Sequence, residues 1–176
     1  MMKYALFFLI LLTIPTMILF DFNSESNISN WRVVDDVVMG GRSDGNFKLN
    51  EDGHAEFSGD VSLENNGGFS SVRYNFETVD ASKYSTFKIY LKGDGKSYQF
   101  RVKSNDNQRY SYIYEFQTSG KWEIISIPFN QMKPAFRGRQ LNQPNYNGNT
   151  MEEIAFLIGN KKPQSFSLLI DKIELE

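Results

Sequence analysis

An antiparallel β-sandwich is the fold class that the sequence predicts, and three observations carry it. About ten short segments alternate apolar and polar residues, with turn residues between them at regular spacing. No segment keeps an apolar stripe at helical period. Aromatic residues make up 15% of the 176 positions. Each large ring can bury roughly 150–250 Å², so the chain can build one core of ordinary domain size. There is no repeat and no linker, so one domain is expected.

Residues 1–17 are read as a signal peptide or an N-terminal anchor. Lys3 precedes an apolar run from Tyr4 to Phe20 that Pro15 interrupts. As a helix the run would span roughly 25 Å, short of a hydrocarbon core of about 30 Å. An A-x-A cleavage pattern is missing. The chain is therefore expected to be exported, periplasmic or extracellular, or held to a membrane by this segment. The folded domain is expected over 18–176, with Phe20-Asp21-Phe22 in its first strand.

Trp31 to Ser43 reads WRVVDDVVMGGRS. Paired Val33-Val34, Asp35-Asp36 and Val37-Val38 break simple alternation, so a kinked or bulged strand is expected. Gly40-Gly41 permits a positive-φ turn and close backbone approach. Two readings stand. In one, the turn sets Asp36, Met39, Arg42 and Ser43 at the rim of a site. In the other, Asp36 hydrogen-bonds the turn backbone and Met39 fills a gap in the core.

Further strands follow. Phe47 to Leu49 and His54 to Phe57 flank a turn at Asn50–Gly53, and His54 is expected to be a surface strand residue. Val61 to Leu63 runs into Asn65-Asn66-Gly67-Gly68, a strong turn signal. Val72, Tyr74 and Phe76 alternate with Ser71, Arg73 and Asn75. Phe87, Ile89 and Leu91 alternate with Lys88, Tyr90 and Lys92. After Gly93-Asp94-Gly95, Tyr98, Phe100 and Val102 alternate with Gln99, Arg101 and Lys103. If these two strands pair as a hairpin, Lys88, Tyr90, Lys92, Gln99, Arg101 and Lys103 share one basic face. Tyr110, Tyr112, Tyr114 and Phe116 form an aromatic row, read as core with a sugar platform as the alternative. Trp122 to Phe129 is a strand ended by Pro128. Residues 132–150 read as a long polar loop, Ile154–Ile158 as a doubly buried element, and Phe166 to Leu175 closes the domain.

Composition narrows the chemistry. No cysteine is present, which removes disulfides, thiolate metal sites and cysteine nucleophiles. His54 is the one histidine, so a histidine-based catalytic or metal site has little to use. In an extended segment Asp35 and Asp36 point to opposite faces and cannot flank one glycosidic bond. No G-x-G-x-x-G opens a βαβ unit, and no spaced acidic loop supports Ca²⁺. No catalytic residue, cofactor or metal is expected. The net charge of −2 advertises no nucleic-acid partner.

An ordered set of motifs remains. It runs Trp31, DDVVMGG with Ser43, Phe57-Ser58-Gly59, Asn65-Asn66-Gly67-Gly68-Phe69, Gly93-Asp94-Gly95 with Tyr98, Trp122 with Ile127-Pro128-Phe129, and Phe136-Arg137-Gly138. The set closely resembles the 30 kDa complex I intermediate-associated protein family, from about Phe20 to Glu176. The resemblance implies a galactose-binding-like jelly roll and a role as an assembly factor for partly built respiratory complex I. It supplies no catalytic residues.

The expectation is a non-enzymatic binding module, an assembly factor or chaperone-like scaffold. Its partner would be a protein, in a respiratory or envelope complex, and a membrane would be touched only through the N-terminal segment. A carbohydrate-binding module using the Lys88–Lys103 face is the alternative, with a glycan as ligand. Candidate binding residues are Trp31, Asp36, Met39, Gly40, Gly41, Ser43, Gly68, Phe69, Asp94, Tyr98, Phe136 and Arg137. The bend at Asp36–Ser43 is expected to meet the Arg137 loop at one mouth.

Overall fold

The structure is a computed structural model and describes residues 16–176. The expected leader therefore lies outside the described residues, except that Met17 already belongs to the first strand. The strands are β1 (Met17–Asp21), β2 (Trp31–Asp35), β3 (Asp44–Leu49), β4 (Ala55–Val61), β5 (Ser70–Asp80), β6 (Thr86–Lys92), β7 (Ser97–Lys103), β8 (Ser111–Gln117), β9 (Trp122–Pro128), β10 (Lys133–Phe136), β11 (Arg139–Gln140), β12 (Thr150–Ile158) and β13 (Gln164–Leu175).

They form two antiparallel sheets. The six-stranded sheet has the order β3-β4-β13-β6-β9, with β1 added beside β13. The seven-stranded sheet has the order β11-β10-β8-β7-β12-β5-β2. β13 is long enough to serve two neighbours on one side. Its first half pairs with β4 and its last residues pair with β1. The register shifts at Asp171, between Ile170 and Lys172. Phe22, one residue past β1, donates its N–H to the Asp171 carbonyl at 2.8 Å.

The core lies between the sheets, where the alternating apolar sets meet. Phe87, Ile89 and Leu91 face Phe100, Phe156 and Ile154, all fully buried. A second aromatic group fills the end near β1 and β2. There Trp31 stacks on Tyr74 with centroids 4.8 Å apart and on Phe47 at 5.1 Å. Phe20 meets both Trp31 and Tyr74 edge-on, the geometry aromatic pairs favour. The β8 row is largely core: Phe116 is buried, and Tyr112 and Tyr114 pack against the cluster.

Three expectations need correction. β6 and β7 do not pair. They are consecutive in sequence but belong to different sheets, so Lys88, Tyr90 and Lys92 face outward from one sheet and Gln99, Arg101 and Lys103 from the other. The single basic hairpin face does not exist. Alternation along two strands cannot tell a hairpin from a crossover. His54 is half-buried: its Nδ1 lies 2.9 Å from an Asp171 carboxylate oxygen, and its ring meets Trp122 edge-on. The loop at 132–150 contains β10 and β11, and it is pinned by Tyr146, whose buried hydroxyl donates to the Thr150 carbonyl at 3.1 Å.

Trp31 joins strands of both sheets through its ring contacts. Trp31→Ala is expected to destabilise the domain by about 3–5 kcal/mol, read as a lowered urea midpoint.

Candidate functional site

β2 ends at Asp35, and the chain turns at once into a short 3-10 helix over Asp36–Met39. The expected kink is thus a strand end followed by a turn. The stop is electrostatic. Asp36 is fully buried, and a buried carboxylate needs hydrogen bonds from every side. Its Oδ1 accepts the Ser43 N–H at 3.0 Å. Its Oδ2 accepts the Ser43 hydroxyl at 2.5 Å, the Gly68 N–H at 2.5 Å and the Phe69 N–H at 3.1 Å. Ser43 Oγ in turn accepts the Ser62 N–H at 3.0 Å. Asp36 therefore ties the end of β2 to β3's entry and to the start of β5, and Ser43 carries the tie on to β4's exit.

Burial by itself would raise the Asp36 pKa. The four donors outweigh burial and hold the carboxyl below its ordinary range. Glycine supplies the room. Gly40 closes the 3-10 turn at φ +89°. A β-carbon on Gly41 would overlap the Asp36 carboxylate. The neighbouring Asp35, the last residue of β2, binds a different segment and accepts the Gly45 N–H at 2.9 Å.

This arrangement divides the motif into an inside and an outside. Asp36, Gly41 and Ser43 are buried. Val37 and Met39 are 60% and 58% exposed, and Leu63 on the adjoining loop is 41% exposed. Met39 thus fills no gap in the core, and Asp36 and Ser43 sit beneath the rim. Arg42 is exposed and pairs with Glu64 at 2.8 Å.

The remaining candidates fall into separate places. Asp94 accepts the Tyr98 hydroxyl at 3.0 Å, the Ser167 N–H at 3.1 Å and Lys96 Nζ at 2.5 Å. It ties β7 to β13 at the same end of the sandwich as the Asp36 turn. Tyr98 is buried, and burial pushes its hydroxyl far above the ordinary phenol value. Trp31 is core. Phe136 lies at the far edge, with the Arg109 and Arg137 guanidinium groups 5.6 and 5.4 Å from its ring centroid. Arg137 is exposed at φ +48°.

The expected mouth is therefore absent. β2 and β10 are separated by four strands in the seven-stranded sheet, roughly 24 Å at about 4.8 Å per step. The register also sets them at opposite ends. Asp35 is level with Ser70 and Ile158, whereas Ala135 is level with Ser111, next to the Val102–Tyr112 pair at the other end of β8. Sequence could give the turn but not which loop faces it. It also passed over Glu153, buried on the outer side of the seven-stranded sheet among Arg32, Arg73 and Lys103. Its one signal was an acidic residue beside an apolar run.

Asp36→Asn is expected to cost about 1–3 kcal/mol, because an amide nitrogen would face backbone donors. The pH dependence follows from the sign of the shift. A carboxyl whose pKa is lowered by folding stabilises the fold fully above its unfolded value, near 3.8, and that stabilisation fades as pH falls through the lower folded value. The gap between wild type and Asp36→Asn in urea denaturation should be constant from about pH 7 to 5 and shrink below about pH 4.

The comparisons with known proteins support the family resemblance. Residues 20–170 match the model of the Complex I intermediate-associated protein 30 family. The mouse protein named "Complex I intermediate-associated protein 30, mitochondrial" is 24% identical, over 89% of this chain and 55% of its own length. An uncharacterized protein of Schizosaccharomyces pombe is 30% identical over 62% of this chain and 59% of its own. The chain thus spans under three-fifths of the length of these relatives. Among solved structures, the family 11 carbohydrate-binding module of the Clostridium thermocellum cellulase Lic26A-Cel5E superposes with a TM-score of 0.65 at 19% identity, covering 93% of this chain and 95% of that one. At that identity the likeness is one of fold, a galactose-binding-like jelly roll. With its motifs in order on that fold and the family match running nearly end to end, the chain belongs to the Complex I intermediate-associated protein 30 family.

Proposed function

We propose that this protein is a non-enzymatic binding module, an assembly factor or chaperone-like scaffold that engages a subunit of a membrane protein complex. Membership of the family supports the assembly role, since the mouse relative is named for association with complex I. The observation that carries the reading is the Asp36 turn. A fully buried, hydrogen-bonded carboxylate fixes the backbone from which Val37 and Met39 project into solvent. Holding an apolar turn rigid before binding reduces the ordering cost of association. Methionine also suits a contact that must adapt to its partner. In this reading the apolar N-terminal stretch brings the domain to a membrane, and the partner is met there.

The glycan reading has lost the surface it depended on. The basic residues assigned to one hairpin face lie on two sheets.

The test is affinity capture from native membranes with the full chain and with a Val37→Ser/Met39→Ser variant. Wild type should sit in the membrane or exported fraction and recover subunits of one membrane complex. The variant should lose about tenfold in recovery while melting within about 0.5 kcal/mol of wild type. Equal recovery by the variant would remove the turn as the contact. Recovery of no protein, with binding on a glycan array, would overturn the assembly reading.

A further inference from the structure

The outer face of the seven-stranded sheet gathers four cations, three of them around one carboxylate. In register across β2, β5, β12 and β7 stand Arg32, Arg73, Ala155 and Arg101. The same row continues through Ile113 on β8 to Lys133 on β10. Lys103 stands two residues along β7, opposite Glu153. Glu153 is nearly buried, and its carboxylate lies 3.4 Å from Lys103 Nζ, 3.7 Å from Arg32 and 3.8 Å from Arg73. Charge-assisted bonds are usually about 2.7–2.9 Å. One carboxylate is thus shared loosely among three cations.

The arginines keep donors to spare. Arg73 Nε is buried without a hydrogen-bond partner. Arg101 gives Nε and Nη2 to the neutral Oε1 of Gln99, at 3.1 and 2.6 Å. Among the described residues it belongs to no ion pair. Burial, with the positive charge of Arg73, pushes Arg101 down to about 10. Like charges set opposite one another in a sheet are destabilising, and buried charges ordinarily carry partners. The nearby acids at the rim are already engaged. Asp106 accepts from Asn75 at 2.8 Å, and Glu152 accepts from Thr78 and from the Asp106 N–H. A groove of about 520 Å³ opens beside the cluster, lined among others by Asn30, Arg32, Asn75, Lys103 and Glu153.

The character of the face selects its occupant. No outward position of β2, β5, β7, β8 or β12 paired in these rows carries an aromatic ring, so nothing there stacks a base or lies flat against a sugar. Guanidinium forks match carboxylates in a two-bond geometry. The row from Arg32 to Lys133 crosses five strand spacings, roughly 24 Å, longer than a small anion could use. We propose that this face binds an acidic, extended segment of a protein partner, with carboxylates entering between Arg73 and Arg101 and between Arg32 and Lys103. The proposal deepens the protein-binding reading by naming a partner chemistry. It uses a surface other than the Val37 turn, so either can fail alone.

The test is calorimetric titration of the full chain with hexaglutamate, polygalacturonate and inorganic phosphate, at about 50 and about 300 mM salt. Hexaglutamate should bind, and more weakly at high salt. Arg73→Gln/Arg101→Gln should weaken it by about tenfold or more, and Lys88→Gln on the opposite sheet should leave it unchanged. Glu153→Gln removes the competing carboxylate and should strengthen binding several-fold while lowering the melting temperature. That opposite direction decides the matter even if the double arginine variant does not fold. No binding of hexaglutamate, tighter binding of polygalacturonate or phosphate, or weaker binding by Glu153→Gln would overturn the proposal.

Discussion

A single buried carboxylate sets the local architecture from which the functional reading grows. Asp36 could not stay ionised inside the protein without donors, and the chain supplies four from two separate segments. Four residues of the DDVVMGG stretch then have a physical reason. Asp35 holds β3 through Gly45. Asp36 holds the loop before β5. Gly40 turns the backbone and Gly41 leaves space for the carboxylate. Val37 and Met39 point outward. A buried charge is poor value as a stabiliser compared with apolar packing, so its service is to fix a shape.

The same contrast between inside and outside recurs on the broad face of the larger sheet. From Ile154 to Ile158 β12 is apolar on both sides, and Ala155 is buried although it faces outward. Its in-register neighbours are Arg73 and Arg101, whose long stems can cover apolar floor while their heads stay polar. That explains a continuous apolar run in an antiparallel sheet, where alternation is the rule. It also explains why positive charge gathers on this face in a chain whose net charge is near zero.

Much of the fold was legible because sandwich strands advertise themselves by period two. The β3–β4 hairpin, the inward sets on β5, β6 and β7, and the buried Ile154–Ile158 run were all readable. What failed was the third dimension. Gly93 to Lys96 looks like a hairpin turn, yet it carries the chain from one sheet to the other, with Asp94 anchoring the crossover to Tyr98 and Ser167. β10 and β11 hid in a polar loop because strands this short have no alternation to show. The Asp36 turn was visible as chemistry, but its facing loop proved to be Ser62 to Phe69 and not Arg137. Loop partnership depends on sheet order, and period alone does not encode sheet order.

Backbone amides report most directly on the Asp36 network. Ser43, Gly68 and Phe69 lie outside the strands, where amides ordinarily exchange fast. If Asp36 holds them, hydrogen exchange at these three should be slowed nearly as far as in central β12, and Asp36→Asn should release all three together. Fast exchange at these amides in the wild-type protein, equal to that of the exposed loop at Asn142 to Asn145, would contradict the account.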